Sequence, residues 1–442
     1  MTNFQTILIA VFLAFFVFAV LIFSGLIKIG GLSGNSAVPQ GKIVIWGTFP
    51  EGELAKVFED ATAVSKDLLI NYVRKPEATY EQTLLEAFAS GTGPDLFILS
   101  ADMIARNEGF IYKLPFANYP EKTFRDSFID GADIFLAPDG VIGFPIVVDP
   151  MVLYYNRDLL SNEGLSQPPL YWNELFALNT RLTTENPDGS ISRSMVGLGL
   201  FDNINHAKDI LATLFIQNGN GIMSRAPTGG YMPVFNEAGV SSGGKTATEA
   251  VLDFYTDFAN PSTEAYSWNR VLPNTLDMFT SGRLAFYFGR ASELFKIQSM
   301  NPNLSFDVTS ILQTKGAPNK RTFGAIYAIA VNKRSPNATA GFGVAGLLTA
   351  GDNAKNFATA LSLPPASRAL LSQRPTDNPY IFTFFDSAVF TRSWLDPNTK
   401  ATDTIFSGLI QNIVSNRYQT NDAINKAHGE LGLLVPAVQV TQ

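Results

Sequence analysis

The sequence predicts an α/β fold, because strand-like and helix-like segments alternate over residues 42–99. Three short apolar runs have the length and composition of buried strands: KIVIW (42–46), LLINYV (68–73) and DLFIL (95–99). The apolar residues between them have the spacing of amphipathic helices, first at Leu54, Val57, Phe58 and Ala61 and then at Tyr80, Leu84, Ala87 and Phe88. Strands and helices in this order form a parallel sheet with right-handed crossovers.

The carboxyl ends of these strands are the predicted binding edge, because ligands of open parallel sheets bind beyond those ends. The side chains at the ends of the first and third strands are Trp46, Thr48, Phe49, Glu51, Ser100 and Asp102. Three of these residues have a structural alternative. Trp46 suits a core position, Glu51 suits the first turn of a helix, and Asp102 suits a helix cap or first turn.

The middle of the chain is richer in helix, and the last hundred residues are mostly helical. MVGLGL (195–200) predicts a short strand, and LAFYF (284–288) and FGAIYAIAV (323–331) have the continuous apolar character of strands covered on both faces. Helical spacing is found over 170–183, 206–218 and 246–259.

Composition excludes several functions. The 442 residues are 46% hydrophobic and 16% charged, which is typical of an ordered chain of two or three domains. The net charge is −7, and no cluster of four basic residues offers a nucleic-acid groove. The absence of Cys excludes disulfides, a thiolate nucleophile, a Cys zinc site and lipid attachment through a thioether. With only His206 and His428 we expect no multi-His metal site, and we expect both histidines to be surface polar residues.

Residues 6–27 carry no charge and as a helix would be roughly 33 Å long, enough to span a bilayer. A secretory signal has a shorter apolar region of about 7–15 residues after a basic start. The start here, MTNFQ, has no basic residue, so we expect a retained transmembrane anchor, with a cleaved signal as the alternative. Residues 28–41 predict a flexible linker. Lys28 and Lys42 weakly favour a cytoplasmic head under the positive-inside rule.

The segment 140–175 carries a specific motif, with Gly-aromatic-Pro, an acid, Tyr-Asn, Asp-Leu, Gly-Leu, Pro-Pro and Trp-x-Glu-Leu in order. It resembles the signature of extracellular solute-binding proteins of ABC importers, the group that includes maltose-binding protein. Further blocks that resemble this family follow in order at 89–99, 215–223, 278–289 and 323–337. The motif residues are Gly143, Phe144, Pro145, Asp149, Tyr155, Asn156, Asp158, Leu159, Gly164, Leu165, Pro168, Pro169, Trp172, Glu174 and Leu175.

The resemblance covers residues 41–435 and implies a two-lobe periplasmic-binding-protein-like fold with hinge-crossing strands, in which the lobes close on a ligand. Lobe one is expected to hold 42–145 and 324–380, and lobe two 150–320 and 385–442. Many members carry a lipidated Cys or a cleaved signal. This chain is expected to have neither, so the helix at 6–27 becomes the tether. The family places the head outside the cytoplasmic membrane, against the weak lysine signal.

Sugar sites stack rings on aromatic faces and bind hydroxyls with polar side chains. On this basis the remaining predicted ligand-binding residues are Asp149, Phe201, Asp202, Asn203, Trp268, Asn269, Arg290, Ser292, Tyr327 and Trp394. The structural alternatives are a salt bridge for Asp149 or Arg290, and a plain turn for 201–203. For Trp268 the alternative is packing under its loop, and for Tyr327 and Trp394 it is a core position.

The predicted function is capture of a small solute, most plainly a carbohydrate, and its delivery to an ABC permease. The protein is expected to be a membrane-anchored monomer without catalysis, cofactor or metal. A ligand-sensing adaptor on the same fold is one alternative, which neighbouring permease genes would distinguish. A glycosidase is another. It would need two carboxylates, such as Asp102 and Asp149, about 5–9.5 Å apart.

Overall fold

The computed structural model describes residues 39–63, 65–227, 229–236, 244–375 and 378–435, and a ten-stranded mixed sheet runs through them. Along its main path the strand order is β2-β1-β3-β14-β7-β12-β9-β8, with β13 beside β7 and β15 beside β14. The strands are β1 (Gly41–Gly47), β2 (Leu68–Arg74), β3 (Leu96–Ser100), β4 (Leu114–Pro115), β5 (Leu136–Ala137), β6 (Gly140–Val141), β7 (Phe144–Asn156), β8 (Thr184–Glu185), β9 (Ile191–Val196), β10 (Met223–Arg225), β11 (Tyr231–Pro233), β12 (Leu284–Arg290), β13 (Phe306–Ser310), β14 (Thr322–Val331) and β15 (Thr391–Arg392).

Helices cover both faces of the sheet. The α-helices are α1 (Glu51–Thr62), α2 (Tyr80–Ser90), α3 (Ile104–Asn107), α4 (Glu121–Ser127), α5 (Arg157–Asn162), α6 (Glu174–Leu182), α7 (Ala207–Gln217), α8 (Ala247–Asp257), α9 (Thr275–Thr280), α10 (Leu294–Met300), α11 (Ala338–Leu348), α12 (Gly351–Leu361), α13 (Arg368–Leu371), α14 (Pro379–Val389), α15 (Thr399–Val414) and α16 (Thr420–Leu433). Short 3₁₀ helices lie at Glu77–Thr79, Ala101–Met103, Glu108–Phe110, Asp130–Phe135 and Ala291–Glu293.

Two long antiparallel strands, β7 and β14, join the two ends of the sheet. Residues 144–150 of β7 pair with β14, whose other edge pairs with β3. Residues 151–156 of β7 pair instead with β12 and β13. We call the end with β1, β2 and β3 the first half, and the end with β9, β12 and β13 the second half. The β10–β11 hairpin and the helices α15 and α16 pack with the second half.

The sequence predictions for residues 42–99 are confirmed. β1, β2 and β3 fall on the three predicted strands, and β1 pairs in parallel with both of its neighbours. The predicted apolar faces of α1 and α2 are the buried ones: Leu54, Val57, Phe58 and Ala61, and Tyr80, Leu84, Ala87 and Phe88. The strands predicted over 284–288 and 323–331 are also present, as β12 and β14.

The strand predicted over 195–200 is wrong over 197–200, because the observed strand β9 runs from Ile191 to Val196. Gly197 packs under the ring of Trp268, and an added Cβ there would collide with Thr275. Gly199 has a φ of +90°, and its added Cβ would lie 2.5 Å from the backbone N of Ala259. Close backbone approach and a left-handed conformation, both of which favour glycine, end the strand.

Within the described ranges no helix combines the length and the apolar character of a membrane span. The anchor predicted at 6–27, and the linker as far as residue 38, lie outside the described residues.

Candidate functional site

A cleft of about 560 Å³ opens between the two halves of the sheet. The first half lines it with the C-terminal ends of β1 and β3, the start of α2 and the residue Arg106 of α3. The second half lines it with the first turn of α7, the end of β12 and residues 393–400, and β14, which joins the two halves, lines it with residues 323–327. The strand ends therefore meet at one edge, as expected for an open parallel sheet.

The structure brings six of the sixteen predicted residues together at this cleft. Thr48, Ser100 and Asp102 line it from the first half, and Arg290, Tyr327 and Trp394 line it from the sheet and the segment beyond β15. The Ser100 hydroxyl donates to the carboxylate of Asp102, which also accepts from Thr399 Oγ1 at 3.4 Å. Whether these six contact a ligand stays a prediction.

The floor of the cleft is an ion pair between Arg290 and Asp209 in the first turn of α7. Arg290 donates from Nε at 3.0 Å and from Nη2 at 2.6 Å to Oδ2 of Asp209. Burial alone would raise the pKa of Asp209, but the charges of Arg290 and His206 reverse the effect and hold it well below its usual range. The positive charge of Arg290 at the cleft is therefore already balanced by the carboxylate of Asp209.

His206 precedes α7 and lies between two carboxylates. Its Nδ1 is 3.4 Å from Oδ2 of Asp209, and its Nε2 is 2.9 Å from Oε2 of Glu293. Burial opposes protonation, but the two carboxylates outweigh it and raise the pKa of His206 to about 9. The expectation of a surface histidine is therefore wrong: the side chain is 23% exposed and belongs to the ionic layer beneath the cleft.

Asp149 lies behind this layer, on β7, and does not line the cleft. Its Oδ1 accepts from the backbone N of Ser292 at 2.9 Å, and its Oδ2 accepts from Ser292 Oγ at 2.7 Å. Burial raises the pKa of Asp149, against the lowering effect of Arg290 and of these hydrogen bonds. Asp149 on β7 and Ser292 just after β12 therefore hold the end of β12 against β7.

Residues 393–400 form one wall of the cleft, and a buried ion pair holds them to α7. Lys208 Nζ lies 3.1 Å from Oδ2 of Asp396, which is 1% exposed, and donates to the carbonyl of Thr399 at 3.2 Å. Asp396 also accepts from Thr402 Oγ1 at 2.9 Å. Trp394, on the same wall, is buried against Phe406.

The two halves touch across the cleft through Arg106. Its Nη2 donates to Oε2 of Glu81 at 2.6 Å within the first half. The same guanidinium reaches the opposite wall, with Nη1 donating to the carbonyl of Asp396 at 3.2 Å and Nη2 to Thr399 Oγ1 at 3.3 Å.

Ten predicted residues lie away from the cleft lining: Trp46, Phe49, Glu51, Asp149, Phe201, Asp202, Asn203, Trp268, Asn269 and Ser292. Several of them serve local structure. Lys75 lies over the Trp46 ring at 3.9 Å, and Phe49 packs edge-on against Tyr327 with ring centroids 5.0 Å apart. Glu51 is an exposed first-turn acid of α1.

Trp268 corrects the sequence reasoning most clearly. It is a predicted ligand-binding residue in the polar segment YSWNR, but it is 0% exposed. Its loop turns inward, and Trp268 packs on Gly197 and donates to Asn203 at 3.1 Å. Asn203 in turn donates to the carbonyl of Asn269 at 2.8 Å. Packing under the loop, the alternative stated above, is the arrangement observed.

Sequence reasoning missed Glu81, Arg106, Lys208, Asp209 and Asp396, all of which line the cleft. The position of Asp209 in a first turn was a weak signal, since an acid there suits the helix dipole. The pairing of Lys208 with Asp396 joins residues 188 apart, and no local pattern reports it. In the part of the chain that the structure describes, no group of three or more His, Asp or Glu side chains is arranged to hold a metal ion.

A mixed sheet covered by helices, with crossing strands and a polar cleft between its two ends, defines a class of ligand-binding α/β proteins. The family model for bacterial extracellular solute-binding proteins matches residues 52–366, and the chain belongs to this family. It is 23% identical over 312 residues to the galactooligosaccharide-binding protein of Bacillus subtilis (strain 168), covering 69% of this chain and 68% of that relative.

Solved structures show the same fold. A cyclo/maltodextrin-binding protein complexed with maltotetraose has a TM-score of 0.71 at 16% identity, covering 91% of this chain and 98% of that chain. The cyclic alpha-maltosyl-1,6-maltose binding protein from Arthrobacter globiformis has a TM-score of 0.73 at 14% identity, covering 89% of this chain and 99% of that chain. These likenesses establish the two-lobe periplasmic-binding-protein-like fold.

Proposed function

We propose that this protein captures a neutral oligosaccharide in the cleft and delivers it to an ABC importer. The observation that carries the proposal is that several charged groups at the cleft are already paired with one another. Arg290 is paired with Asp209, Arg106 with Glu81, and Lys208 with Asp396. A ligand that carried a full charge would compete with these pairs, whereas hydroxyl groups can add hydrogen bonds to them.

The size and lining of the cleft agree with such a ligand. About 560 Å³ lies inside the range of about 300–1,000 Å³ that is usual for small-molecule sites. Asp102 supplies an acceptor for hydroxyl groups, and Tyr327 and Trp394 supply aromatic surface. The names of the Bacillus subtilis relative and of the similar structures are those of oligosaccharide-binding proteins.

We assign ligand contact to the six predicted residues at the cleft and to none of the other ten. Binding here needs no covalent chemistry and no cofactor, so we propose a binding protein and not an enzyme. We further propose that residues 6–27 anchor the chain, that residues 28–41 tether the head, and that the head lies on the extracytoplasmic side. The apolar run and the family support this placement. A ligand-sensing adaptor on the same fold is the alternative role.

Calorimetric titration of the detergent-solubilised full chain tests the proposal, with maltotetraose, a galactooligosaccharide and a phosphorylated sugar as probes. We expect a neutral oligosaccharide to bind and the phosphorylated sugar not to bind. Asp102→Ala should lower the affinity at least about tenfold, the order of a hydrogen bond to a charged group. Asp202→Ala, which removes an exposed acid outside the cleft lining, is the matched control and should leave the affinity unchanged. Tight binding of the charged sugar alone would contradict the proposal.

A further inference from the structure

A second contact between the halves lies apart from the cleft lining. Glu108, in the 3₁₀ helix after α3 of the first half, meets Arg225 and Tyr231 on the β10–β11 hairpin of the second half. Nη1 of Arg225 lies 2.7 Å from Oε2 of Glu108, and the hydroxyl of Tyr231 donates to the same oxygen. None of these three residues lines the cleft. The contact therefore acts on the separation of the halves without touching the proposed ligand site.

The hairpin presents its two side chains as a unit. Arg225 and Tyr231 are directly opposite each other in the antiparallel register of β10 and β11. The guanidinium carbon of Arg225 lies 5.3 Å from the centre of the Tyr231 ring, a cation–π distance. Opposite residues of a hairpin lie on one face, so a single carboxylate can accept from both side chains at once.

Glu108 keeps a partner whether or not the halves are together. Lys113 Nζ lies 2.9 Å from Oε1 of Glu108, on the oxygen that the hairpin does not use, and 2.9 Å from Asp139. Lys113 belongs to the first half, so separation would leave the carboxylate paired and partly hydrated. Separation would also release the buried Nη2 of Arg225, which has no hydrogen-bond partner among the described residues. Both features make the contact reversible.

We propose that Glu108, Arg225 and Tyr231 form a latch that favours the arrangement of the two halves seen in this structure, here called closed, even when no ligand is bound. The latch sets how often the empty cleft opens, and so the rates at which a ligand enters and leaves. The side chains of Glu108 and Arg225 are 17% and 23% exposed, so water screens their attraction only in part. A ligand that binds between the halves adds its own preference for closure to that of the latch.

The test measures the distance between the halves in the full chain without ligand. The sequence has no Cys, so Lys56→Cys on α1 and Lys296→Cys on α10 give two unique sites for spin labels on exposed positions. Pulsed electron spin resonance then gives the populations of short and long separations. We expect Glu108→Ala and Arg225→Ala each to raise the ratio of open to closed forms about three- to tenfold. The double variant should raise it by no more than Glu108→Ala alone, because that change already removes the contact with Arg225.

Tyr231→Phe removes only a hydroxyl, folds without a change of shape, and should give a smaller shift in the same direction. Arg125→Ala is the matched control, because its ion pairs with Glu121 and Asp133 lie within the first half. Unchanged distances in all the latch variants would overturn the proposal. So would additive shifts in the double variant, which would mean that the two residues act on opening independently.

Discussion

The indole Nε1 of Trp268 donates a hydrogen bond to Oδ1 of Asn203 at 3.1 Å, joining two loops that are 65 residues apart. Asn203 also donates from Nδ2 to the carbonyls of Asn269 and Leu272, at 2.8 and 3.0 Å. Both side chains are therefore committed to holding the loop after β9 against the loop before α9. The polar side chains of Asn203 and Trp268 in these two loops stabilise the fold of the second half.

Trp268→Ala should destabilise the fold by about 3–5 kcal/mol, the usual loss for a fully buried aromatic side chain. The affinity of the folded protein for its ligand should change little, because Trp268 does not line the cleft. Urea unfolding and calorimetric titration measure the two effects separately. Trp46→Ala, at a half-buried tryptophan, is the control and should cost less. A Trp268 variant of normal stability that no longer binds ligand would restore this residue to the site.

Stability should fall as the pH rises from 6.5 to 9, because the pKa of His206 is raised from 6.5 to about 9 in the folded protein. The stabilisation that His206 gives the fold is complete below pH 6.5, where the histidine is protonated in both the folded and the unfolded state. It is lost as the pH passes through 9, and the full difference is up to roughly 3 kcal/mol. Urea unfolding at pH 6 and pH 9 measures it.

His206→Asn should abolish this pH dependence. Asparagine tolerates the left-handed backbone at this position, where φ is +59°, so the variant changes the charge without straining the helix start. His428→Asn is the matched control and should keep the dependence of the unmodified protein. A pH dependence that survives in the His206 variant would show that other groups produce it.

Lys208→Met should destabilise the fold by about 3–5 kcal/mol, because it leaves the carboxylate of Asp396 buried without its cation. Burial already raises the pKa of Asp396, and Lys208 opposes that rise. The variant's defect should therefore shrink as the pH is lowered and Asp396 becomes protonated. Thermal unfolding of the variant and the unmodified protein, at neutral pH and at successively lower pH values, measures the effect. Asp403→Ala removes the second carboxylate partner of Lys208. Asp403 is 50% exposed, so this change should cost under about 1 kcal/mol. Equal losses in both variants would contradict the assigned role.

The head should be soluble and monomeric when residues 41–442 are produced alone, because the described residues from Gln40 onward form a compact unit. Sedimentation without detergent measures this, and persistent aggregation would count against an autonomous head.

Mass spectrometry of the full chain extracted from membranes should find Met1 or Thr2 at the start. A mature start near Ser36 or Val38 would mean a cleaved signal.

Local sequence patterns predicted the elements whose formation depends on the local spacing of apolar residues. Helical and strand periodicity predicted α1, α2 and the first three strands, since each of these elements buries one face or an entire run of apolar residues. The parallel order of the strands predicted that Thr48, Ser100 and Asp102 lie together at one edge, and all three line the cleft. The motif at 140–175 indicated the family, through many residues in a set order.

Only the tertiary structure decided which side chains meet. Lys208 and Asp396 are 188 residues apart, and Glu108 and Arg225 are 117 apart, so no periodicity in the chain links them. Trp268 shows the same limit for burial, since a polar loop becomes core when another loop covers it. The sequence alone therefore determined the first strands and helices, the family and the edge where a ligand is expected. The partners of each charge depend on folding, because distance in space is independent of distance along the chain.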